Sequence, residues 1–269
     1  MEENQYFQTN RELWDEKTMH HKNSTFYNLE GFKKGESSLQ EIELQALANE
    51  VSGKSLLHLQ CHFGQDTISW ARMGAKVTGM DLSPKAIQLA QSLNDELNLD
   101  AQFISCNIYD LPQHLDQQFD IVFTSYGVLT WLPDLDQWAS IIARYLRPGG
   151  RFYIAEFHPV MYMYDFDQHK IAYRYFSHRE PYTEVELGTY ADPDAAIEMK
   201  EYFWCHSLSE TIQALLKQGL VLTEFLEFPW SPYNCFPNMQ AVAPRRYVYG
   251  NLENRLPHVF SLKMTKPEQ

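Results

Sequence analysis

A glycine turn and a carboxylate follow two successive apolar runs of the sequence. The stretch LLHLQCHFGQDT, residues 56–67, leaves an apolar run and reaches Gly64, and the next run, KVTGMD, ends at Asp81. Glycine lets a ligand approach the chain closely, and free NH groups at a helix start favour polar or anionic ligand groups. A carboxylate at the end of the following strand can accept hydrogen bonds from both hydroxyls of a ribose. Together, Gly64 and Asp81 predict a nucleoside site.

Other polar and aromatic side chains follow later apolar runs, at positions that suit ligand contacts. In chain order they are Asn107, Ile108, Ser125, Tyr126 and His158. His158 is the candidate general base of this set, because imidazole titrates near neutral pH. The alternative is a structural role, in which the His158 ring makes a hydrogen bond in the turn before Pro159. Asn107 has a similar alternative, since asparagine after a strand is often a turn former.

The elements that position these residues are short apolar runs that alternate with amphipathic segments. The runs have the length and composition of buried strands and occupy residues 54–59, 76–81, 101–105, 119–125 and 151–157. Alternating strands and helices imply right-handed crossovers and a parallel sheet that is covered on both faces. Ligands of such sheets bind beyond the carboxyl ends of the strands, where the candidate residues lie.

Two of the intervening segments carry clear helix signals. SPKAIQLAQSLNDELN, residues 83–98, opens with Ser83 as the N-cap and Pro84 at the first helical position. Because Ser83 already supplies a cap, ribose binding is preferred over helix capping as the role of Asp81. DLDQWASIIARYL, residues 134–146, ends at RPGG and places on one face Trp138, Ile141, Ile142 and Tyr145.

Composition argues against several classes of function. The 269 residues carry 22 Lys and Arg against 35 Asp and Glu, and this net charge of −13 disfavours nucleic acid as a partner. The first residues, MEENQYFQTNRELWDEK, lack the plan of a signal peptide, and no apolar run is long enough to span a bilayer. We therefore expect a cytoplasmic protein without membrane contact. The four cysteines form no CxxC pair, and no spacing of His and carboxylates predicts a metal site.

Over residues 54–157 these motifs resemble those of the class I S-adenosylmethionine-dependent methyltransferases. HLQCHFGQD is similar to the acidic-Gly-x-Gly-x-Gly loop of that family, with His58 at the acidic position and Gln60, His62 and Gly64 at the glycine positions. VTGMDLSPKAI and CNIYDLP resemble the segments that hold the ribose and the adenine amine. The most specific likeness is FDIVFTSYGVLTWLPDLDQWASIIARYLRPGGRFYIAEF, which has the family's order of strand, helix ending in Leu-x-Pro-Gly-Gly, and strand.

The resemblance implies an α/β fold with a Rossmann-like seven-stranded, mostly parallel sheet and helices on both faces. It also implies S-adenosyl-L-methionine as cofactor and S-adenosyl-L-homocysteine as product, with Asp81 on the ribose, Leu82 against the adenine and Asn107 at the adenine amine. The implied cofactor contacts are Leu59, Gln60, Cys61, His62, Gly64, Asp81, Leu82, Asn107, Ile108, Ser125 and Tyr126. Glutamine at position 60 is expected to fit only if the backbone there does not require a positive φ.

The chain is expected to form a single domain, residues 1–269, in four parts. These parts are a helical lid at 1–50, the cofactor-binding core at 51–157, an antiparallel insertion that caps the substrate at 158–206, and the last part of the sheet at 207–269. The alternative for the first part is a helix packed on the sheet edge. The residues proposed for the substrate pocket are Trp14, His20, Tyr27 and Trp131.

The predicted activity is in-line transfer of a methyl group to a small-molecule acceptor. The fourth strand ends in TSYGVL, which lacks the Asn-Pro-Pro-aromatic sequence of enzymes that methylate amino groups of bases or glutamine. The methylated atom and the oligomeric state stay open, and Arg245 and Arg246 suit either an anionic acceptor or solvent. Two alternatives remain. One is a binding protein that has lost catalysis, and the other is a nicotinamide-dependent oxidoreductase, which the absence of Gly-x-Gly-x-x-Gly disfavours.

Overall fold

A computed structural model of the chain describes residues 2–166, 170–250 and 255–268. The first strands in chain order are β1 (Ser55–Leu59), β2 (Lys76–Asp81), β3 (Gln102–Ser105), β4 (Phe119–Ser125), β5 (Leu146–Phe157), β6 (Tyr164–Asp165) and β7 (Lys170–Ile171). They are followed by β8 (Tyr182–Leu187), β9 (Glu198–Phe203), β10 (Val221–Phe228), β11 (Met239–Ala243), β12 (Arg246–Tyr249) and β13 (Val259–Thr265).

Helices precede the sheet and connect its strands. They are α1 (Glu2–His21), α2 (Leu29–Lys33), α3 (Glu41–Leu47), α4 (Gln65–Arg72), α5 (Pro84–Glu96), α6 (Leu135–Tyr145), α7 (Pro159–Tyr162) and α8 (Leu208–Lys217). Two short 3₁₀ helices cover Ile108–Gln113 and Leu129–Trp131. Among the helices so described, none is long and apolar enough to cross a membrane.

Seven strands form one sheet in the order β10-β13-β5-β4-β1-β2-β3. The β1 strand pairs in parallel with β2 and β4, and β4 pairs in parallel with β5. The β13 strand runs antiparallel to both of its neighbours, β5 and β10. This arrangement confirms the predicted fold class, a Rossmann-like and mostly parallel sheet. It also puts the chain reversal, and therefore the ligand crevice, at the carboxyl end of β1.

Local signals in the sequence account for most element boundaries. The β2 and β4 strands have the predicted bounds, and the last two strands of the sheet, β10 and β13, fall within the part predicted to complete it, residues 207–269. The Ser83 side chain accepts a hydrogen bond from the Ala86 NH and caps α5, as predicted. The last helix before the sheet, α3, begins after Gln40, which with Glu43 forms a capping box.

Apolar side chains cover both faces of the sheet. On one face, Trp138 of α6 and Leu215 of α8 belong to a cluster of buried side chains that includes residues of β4, β5 and β13. On the other face, Leu47 of α3 and Trp70 of α4 pack with Tyr153 of β5 and its neighbours. Helices thus cover the sheet on both sides, and the strand ends are left to form a site.

Two segments outside this sheet meet each other across the strand ends. The α1 helix packs against β9, and Asn10 exchanges two hydrogen bonds with the backbone of Tyr202, of 2.8 and 2.9 Å. An antiparallel ribbon after β5 was predicted, and β8 with β9 forms one. Within the same insertion, Lys170–Ile171 pairs antiparallel with Tyr164–Asp165 as a separate two-stranded sheet. The β11–β12 hairpin was not predicted.

Candidate functional site

A cavity of about 860 Å³ lies where the carboxyl ends of β1, β2 and β4 meet the α1 helix and the β8–β9 hairpin. Its volume lies in the range of pockets that hold a cofactor or a drug-sized ligand. The β1–α4 loop, residues 60–64, forms one wall. The opposite wall includes Trp14 and Lys17 of α1 and Glu186 and Glu201 of the hairpin.

The β1–α4 loop has positive φ at alternate positions. These are Gln60 with φ 55°, His62 with φ 50° and Gly64 with φ 77°. The condition expected for glutamine at position 60, a backbone without positive φ, is therefore not met. A left-handed backbone costs an ordinary residue about 1–2 kcal/mol. The loop keeps the conformation typical of a glycine-rich turn even though two of its three left-handed positions carry side chains.

Steric crowding explains why glycine is needed at position 64. A Cβ atom on Gly64 would lie 2.7 Å from the Phe103 ring and 3.0 Å from Ala90 Cβ. The side chains of residues 60 and 62, in contrast, line the cavity, where there is space. The Gln60 amide donates a 3.1 Å hydrogen bond to the Val128 carbonyl, which ties the loop to the segment after β4.

The Asp81 carboxylate stands at the end of β2 and faces the cavity. Its Oδ2 accepts a 2.8 Å hydrogen bond from the His62 NH, and its Oδ1 accepts a 2.9 Å bond from the Ser83 NH. Burial raises the pKa of Asp81 to about 6, although both backbone bonds act in the opposite direction. Each oxygen has a further lone pair, so the carboxylate can also accept bonds from ligand hydroxyls.

His58 is linked to Asp66 through a serine. The His58 ring lies 2.8 Å from Thr67 Oγ1 and 3.4 Å from Ser125 Oγ, and Ser125 donates a 3.2 Å bond to Asp66. Ser38 donates a second bond, of 2.6 Å, to Asp66. Burial lowers the pKa of His58 to about 3, so its ring is neutral at pH 7, and burial raises the pKa of Asp66.

The segment after β4 is fixed by a second buried carboxylate. Glu156 accepts hydrogen bonds from the NH groups of Gly127, Val128 and Leu129, and is only 2% exposed. Next to this clamp, the Tyr126 hydroxyl donates a 2.7 Å bond to Glu43, whose pKa burial raises to about 7. These contacts fix the direction in which Tyr126 enters the cavity.

Aromatic rings form the part of the wall between α1 and the loop. The Trp14 ring centroid lies 5.4 Å from that of Trp131 and 5.3 Å from that of His62, both nearly edge-on. Tyr27 packs 5.4 Å from His62, and its hydroxyl bonds to that of Tyr190. Burial lowers the pKa of His62 to about 3. The rings of this wall are uncharged at neutral pH, and the Lys17 ammonium lies 4.7 Å from the Trp14 ring centroid and 5.3 Å from that of Trp131.

Carboxylates dominate the charge of the cavity. In the described part of the chain, two cationic side chains line it, Lys17 and Arg245, against seven carboxylates, which are Glu36, Asp66, Asp81, Asp165, Glu184, Glu186 and Glu201. The Lys17 ammonium pairs with Glu186 and lies 3.9 Å from Glu201. Glu184 and Glu201 are directly opposite on β8 and β9, where two like charges repel. The net charge of the wall is negative.

Most of the predicted site residues line this one cavity. They are Gln60, Cys61, His62, Gly64, Asp81, Leu82, Asn107, Ile108, Ser125, Tyr126, Trp14, Tyr27 and Trp131. Asn107 also accepts a bond from the Tyr109 NH and caps the following 3₁₀ helix, so its alternative role in a turn is observed as well. Arg246 turns away from the cavity and pairs with Glu41.

Three predicted residues do not reach the cavity. The Leu59 side chain is fully buried in the core, because β1 alternates its side chains between the two faces of the sheet. His20 points toward Glu16 and Asp192 instead. The His158 ring lies 2.9 Å from Glu227 and accepts a bond from the Val160 NH, which matches its alternative, structural role. The geometry therefore offers no support for His158 as the base.

Sequence reasoning missed Asp66 and the carboxylates of the β8–β9 hairpin. Asp66 follows the loop in the sequence, and nothing in its spacing shows that it meets Ser38 and Ser125. Glu186 and Glu201 carry a weak signal, since they alternate with outward-facing residues of a ribbon. Among the described residues, no group of three or more His, Cys, Asp or Glu side chains is arranged to hold a metal ion.

Comparison with known proteins finds relatives of the sheet core. Residues 57–154 match the family model described as a methyltransferase domain. An uncharacterized methyltransferase of Synechocystis sp. is 34% identical over 126 residues, which cover 46% of this chain and 56% of that protein. A ubiquinone biosynthesis O-methyltransferase of Proteus mirabilis is 27% identical over 135 residues, which cover 49% of this chain and 55% of that protein. The chain thus spans about half the length of the curated relatives that it matches.

Solved structures share the fold at low sequence identity. An S-adenosylmethionine-dependent methyltransferase of Methanosarcina mazei has a TM-score of 0.56 at 18% identity, covering 86% of this chain and 99% of that one. One of Mesorhizobium loti has a TM-score of 0.53 at 18% identity, covering 87% and 99%. The family match confirms the predicted resemblance, and S-adenosylmethionine is the cofactor of that family.

Proposed function

Residues 57–154 carry a domain of the class I S-adenosylmethionine-dependent methyltransferase family, and from this premise we propose that the chain methylates a small-molecule acceptor. The observation that carries the proposal is the shared cavity, with the β1–α4 loop and Asp81 on one wall and α1 with the β8–β9 hairpin on the other. A cofactor on the first wall and an acceptor on the second would meet in one enclosed space. Relatives named ubiquinone biosynthesis O-methyltransferases support an acceptor of small size.

The wall formed by the strand ends fits an adenosine-containing cofactor. Asp81 would take the ribose hydroxyls, Leu82 and Ile108 would pack on the adenine, and Asn107 would meet its amine. The methionine part would lie along residues 60–64, Ser125 and Tyr126. The Gln60 Oε1 atom supports this arrangement, because it is buried without a hydrogen-bond partner among the described residues and is available to a ligand.

The proposed reaction is an in-line displacement. S-adenosylmethionine supplies a methyl group on a positively charged sulfur that needs no further activation. The contribution of the chain is then to align the acceptor and to exclude water. The rings of Trp14, Tyr27 and Trp131 suit both tasks, since they line the space between the two walls with apolar surface.

We infer that the acceptor is neutral or positively charged. Seven carboxylates and two cationic side chains line the cavity in the described residues, so an anionic ligand would meet a repulsive field. An amine would meet Glu184, Glu186 and Glu201 on the hairpin. Lys17 already pairs with Glu186, which leaves it poorly placed to attract an anion.

Glu201 is the residue proposed as the base. Burial raises its pKa to about 8, Lys17 lowers it, and repulsion from Glu186 raises it further. A base of this strength is matched to an acceptor proton near neutral pH. His158 is the earlier candidate, but its ring is engaged with Glu227 outside the cavity.

Calorimetric titration with S-adenosylhomocysteine and with NAD tests the class of the protein. We expect S-adenosylhomocysteine to bind and NAD not to bind. Binding of NAD but not of S-adenosylhomocysteine would indicate an oxidoreductase instead of a methyltransferase. Failure of the protein to bind either ligand would instead favour a fold that has lost its cofactor site, for which strain at Gln60 and His62 is the supporting observation.

Turnover tests the acceptor and the base. Small amines and hydroxylated compounds are incubated with the protein and S-adenosylmethionine, and S-adenosylhomocysteine is measured by mass spectrometry. Glu201→Gln should lower kcat about a hundredfold on an accepted substrate. Glu198→Gln, on the outer face of the same strand, is the matched control and should leave kcat unchanged. Equal rates in both variants would reject Glu201 as the base.

A further inference from the structure

Among the described residues, one carboxylate of the cavity has hydroxyl partners and no cationic partner. Asp66 lies in the first turn of α4, lines the cavity, and accepts hydrogen bonds from Ser38 and Ser125. The ion pairs formed within the described residues do not include Asp66. A partly buried carboxylate keeps its charge at a considerable cost unless a cation comes near it.

The side chains around Asp66 do not neutralise it. His58, which is joined to it through Ser125, is neutral at pH 7 because burial lowers its pKa to about 3. Ser38 and Ser125 can each give one hydroxyl proton, so two hydrogen bonds are the most that they supply. Further acceptor sites on the carboxylate remain for a donor in the cavity.

Asp66 and Asp81 lie on opposite sides of the β1–α4 loop. Asp81 ends β2, while Ser125, the partner of Asp66, ends β4, and the sheet order places β1 between those two strands. A ligand that runs along the loop would therefore meet one carboxylate at each end. S-adenosylmethionine has this form, since it carries ribose hydroxyls in one part and an ammonium group in another.

We propose that Asp66, a carboxylate in the first turn of α4, binds the ammonium group of the cofactor. This inference rests on the proposed function, because it assumes that S-adenosylmethionine occupies the cavity. The ammonium would donate to the free lone pairs of Asp66 while Ser38 and Ser125 hold the carboxylate in place. Asp66 is then a binding residue of the cofactor site.

A comparison of two ligands tests the assignment. S-adenosylhomocysteine carries the ammonium group, and 5′-methylthioadenosine keeps the adenosine but lacks the amino-acid part. Asp66→Asn should raise the Kd of S-adenosylhomocysteine ten- to a hundredfold, which is the loss expected for a hydrogen bond between charged groups, and should change the Kd of methylthioadenosine less than twofold. Asp81→Asn is the matched variant and should weaken both ligands.

The outcomes separate this inference from the proposed function. Equal weakening of both ligands by Asp66→Asn would mean that Asp66 only supports the loop, and unchanged affinity for S-adenosylhomocysteine would also overturn the assignment. If the unmodified protein binds neither ligand, the proposed function itself fails. Methylthioadenosine binding reports that the variant is folded. Asp66→Glu, which keeps the charge, should recover part of the lost affinity.

Discussion

Lowering the pH should weaken adenosine binding through Asp81. Burial raises the pKa of this carboxyl group to about 6, and ribose hydroxyls donate to its ionised form. About nine-tenths of the group is ionised one pH unit above its pKa and about one-tenth one unit below it. The Kd of 5′-methylthioadenosine should therefore rise about tenfold between pH 7 and pH 5.

Ionisation of Asp81, which should favour ligand binding, should lower the stability of the ligand-free protein. The folded state of the ligand-free protein binds a proton at Asp81 more tightly than the unfolded chain does, because the pKa rises from 3.8 to about 6. The free energy of unfolding should then decrease as the pH rises from about 4 to 6, by at most about 3 kcal/mol. Deprotonation thus favours the ligand complex while it destabilises the free protein.

Calorimetry across this pH range and urea unfolding at each pH measure both effects. Methylthioadenosine is the suitable ligand because it carries no ammonium or carboxylate to titrate. Asp81→Asn should bind it weakly at every pH, and the difference in unfolding free energy between the two proteins should change between pH 4 and 6. A pH-independent Kd in the unmodified protein would refute the placement of the ribose at Asp81.

Four further variants, at three positions, test the loop and its supports by urea unfolding. Gln60→Gly should change the free energy of unfolding by less than about 1 kcal/mol, because relief of backbone strain offsets the added entropy of the unfolded chain and the loss of one hydrogen bond. Gln60→Val should destabilise the protein by about 2 kcal/mol or more, because a β-branched residue is strained at positive φ. Because burial raises the pKa of Glu43, its ionisation should lower the free energy of unfolding by about 3 kcal/mol as the pH rises from 4.5 to 7. Glu43→Gln should abolish this decrease. Glu156→Gln should cost about 3 kcal/mol, since its amide NH₂ would face backbone NH donors, and an unchanged midpoint would contradict the clamp.

The sheet could be predicted from the sequence because its signals are local. The strands of the core are apolar runs of fixed length, and the cap at Ser83 lies within three residues of the NH group that it binds. The positions after β1, β2 and β4 then follow from topology alone, since parallel strands put their carboxyl ends at one edge. The residues that line the cavity from these ends were predictable for that reason.

Residues that enter the site from distant elements gave no comparable signal. Asp66 becomes part of the cavity because Ser38 and Ser125, far from it in sequence, meet it in the fold. The position of α1 depends on the bond between Asn10 and Tyr202, which are 192 residues apart. His158 has the right place after a strand, but its direction is set by Glu227 on an edge of the sheet. Such contacts depend on tertiary packing, which no local pattern encodes.

In the β1–α4 loop, residues with a strained backbone also lie beside the proposed ligand contacts. His62 has φ 50°, and its NH group donates to Asp81 Oδ2, so the carboxylate proposed for the ribose also holds a strained residue in place. At position 64 a Cβ would collide with Phe103, and only glycine is allowed, whereas at 60 and 62 the side chains find space in the cavity. Backbone strain of this kind persists only where several surrounding contacts hold the residue in place. The Asp81 carboxylate supplies part of that support through its bond from the His62 NH group, so one side chain serves both the strained backbone and the proposed ribose contact.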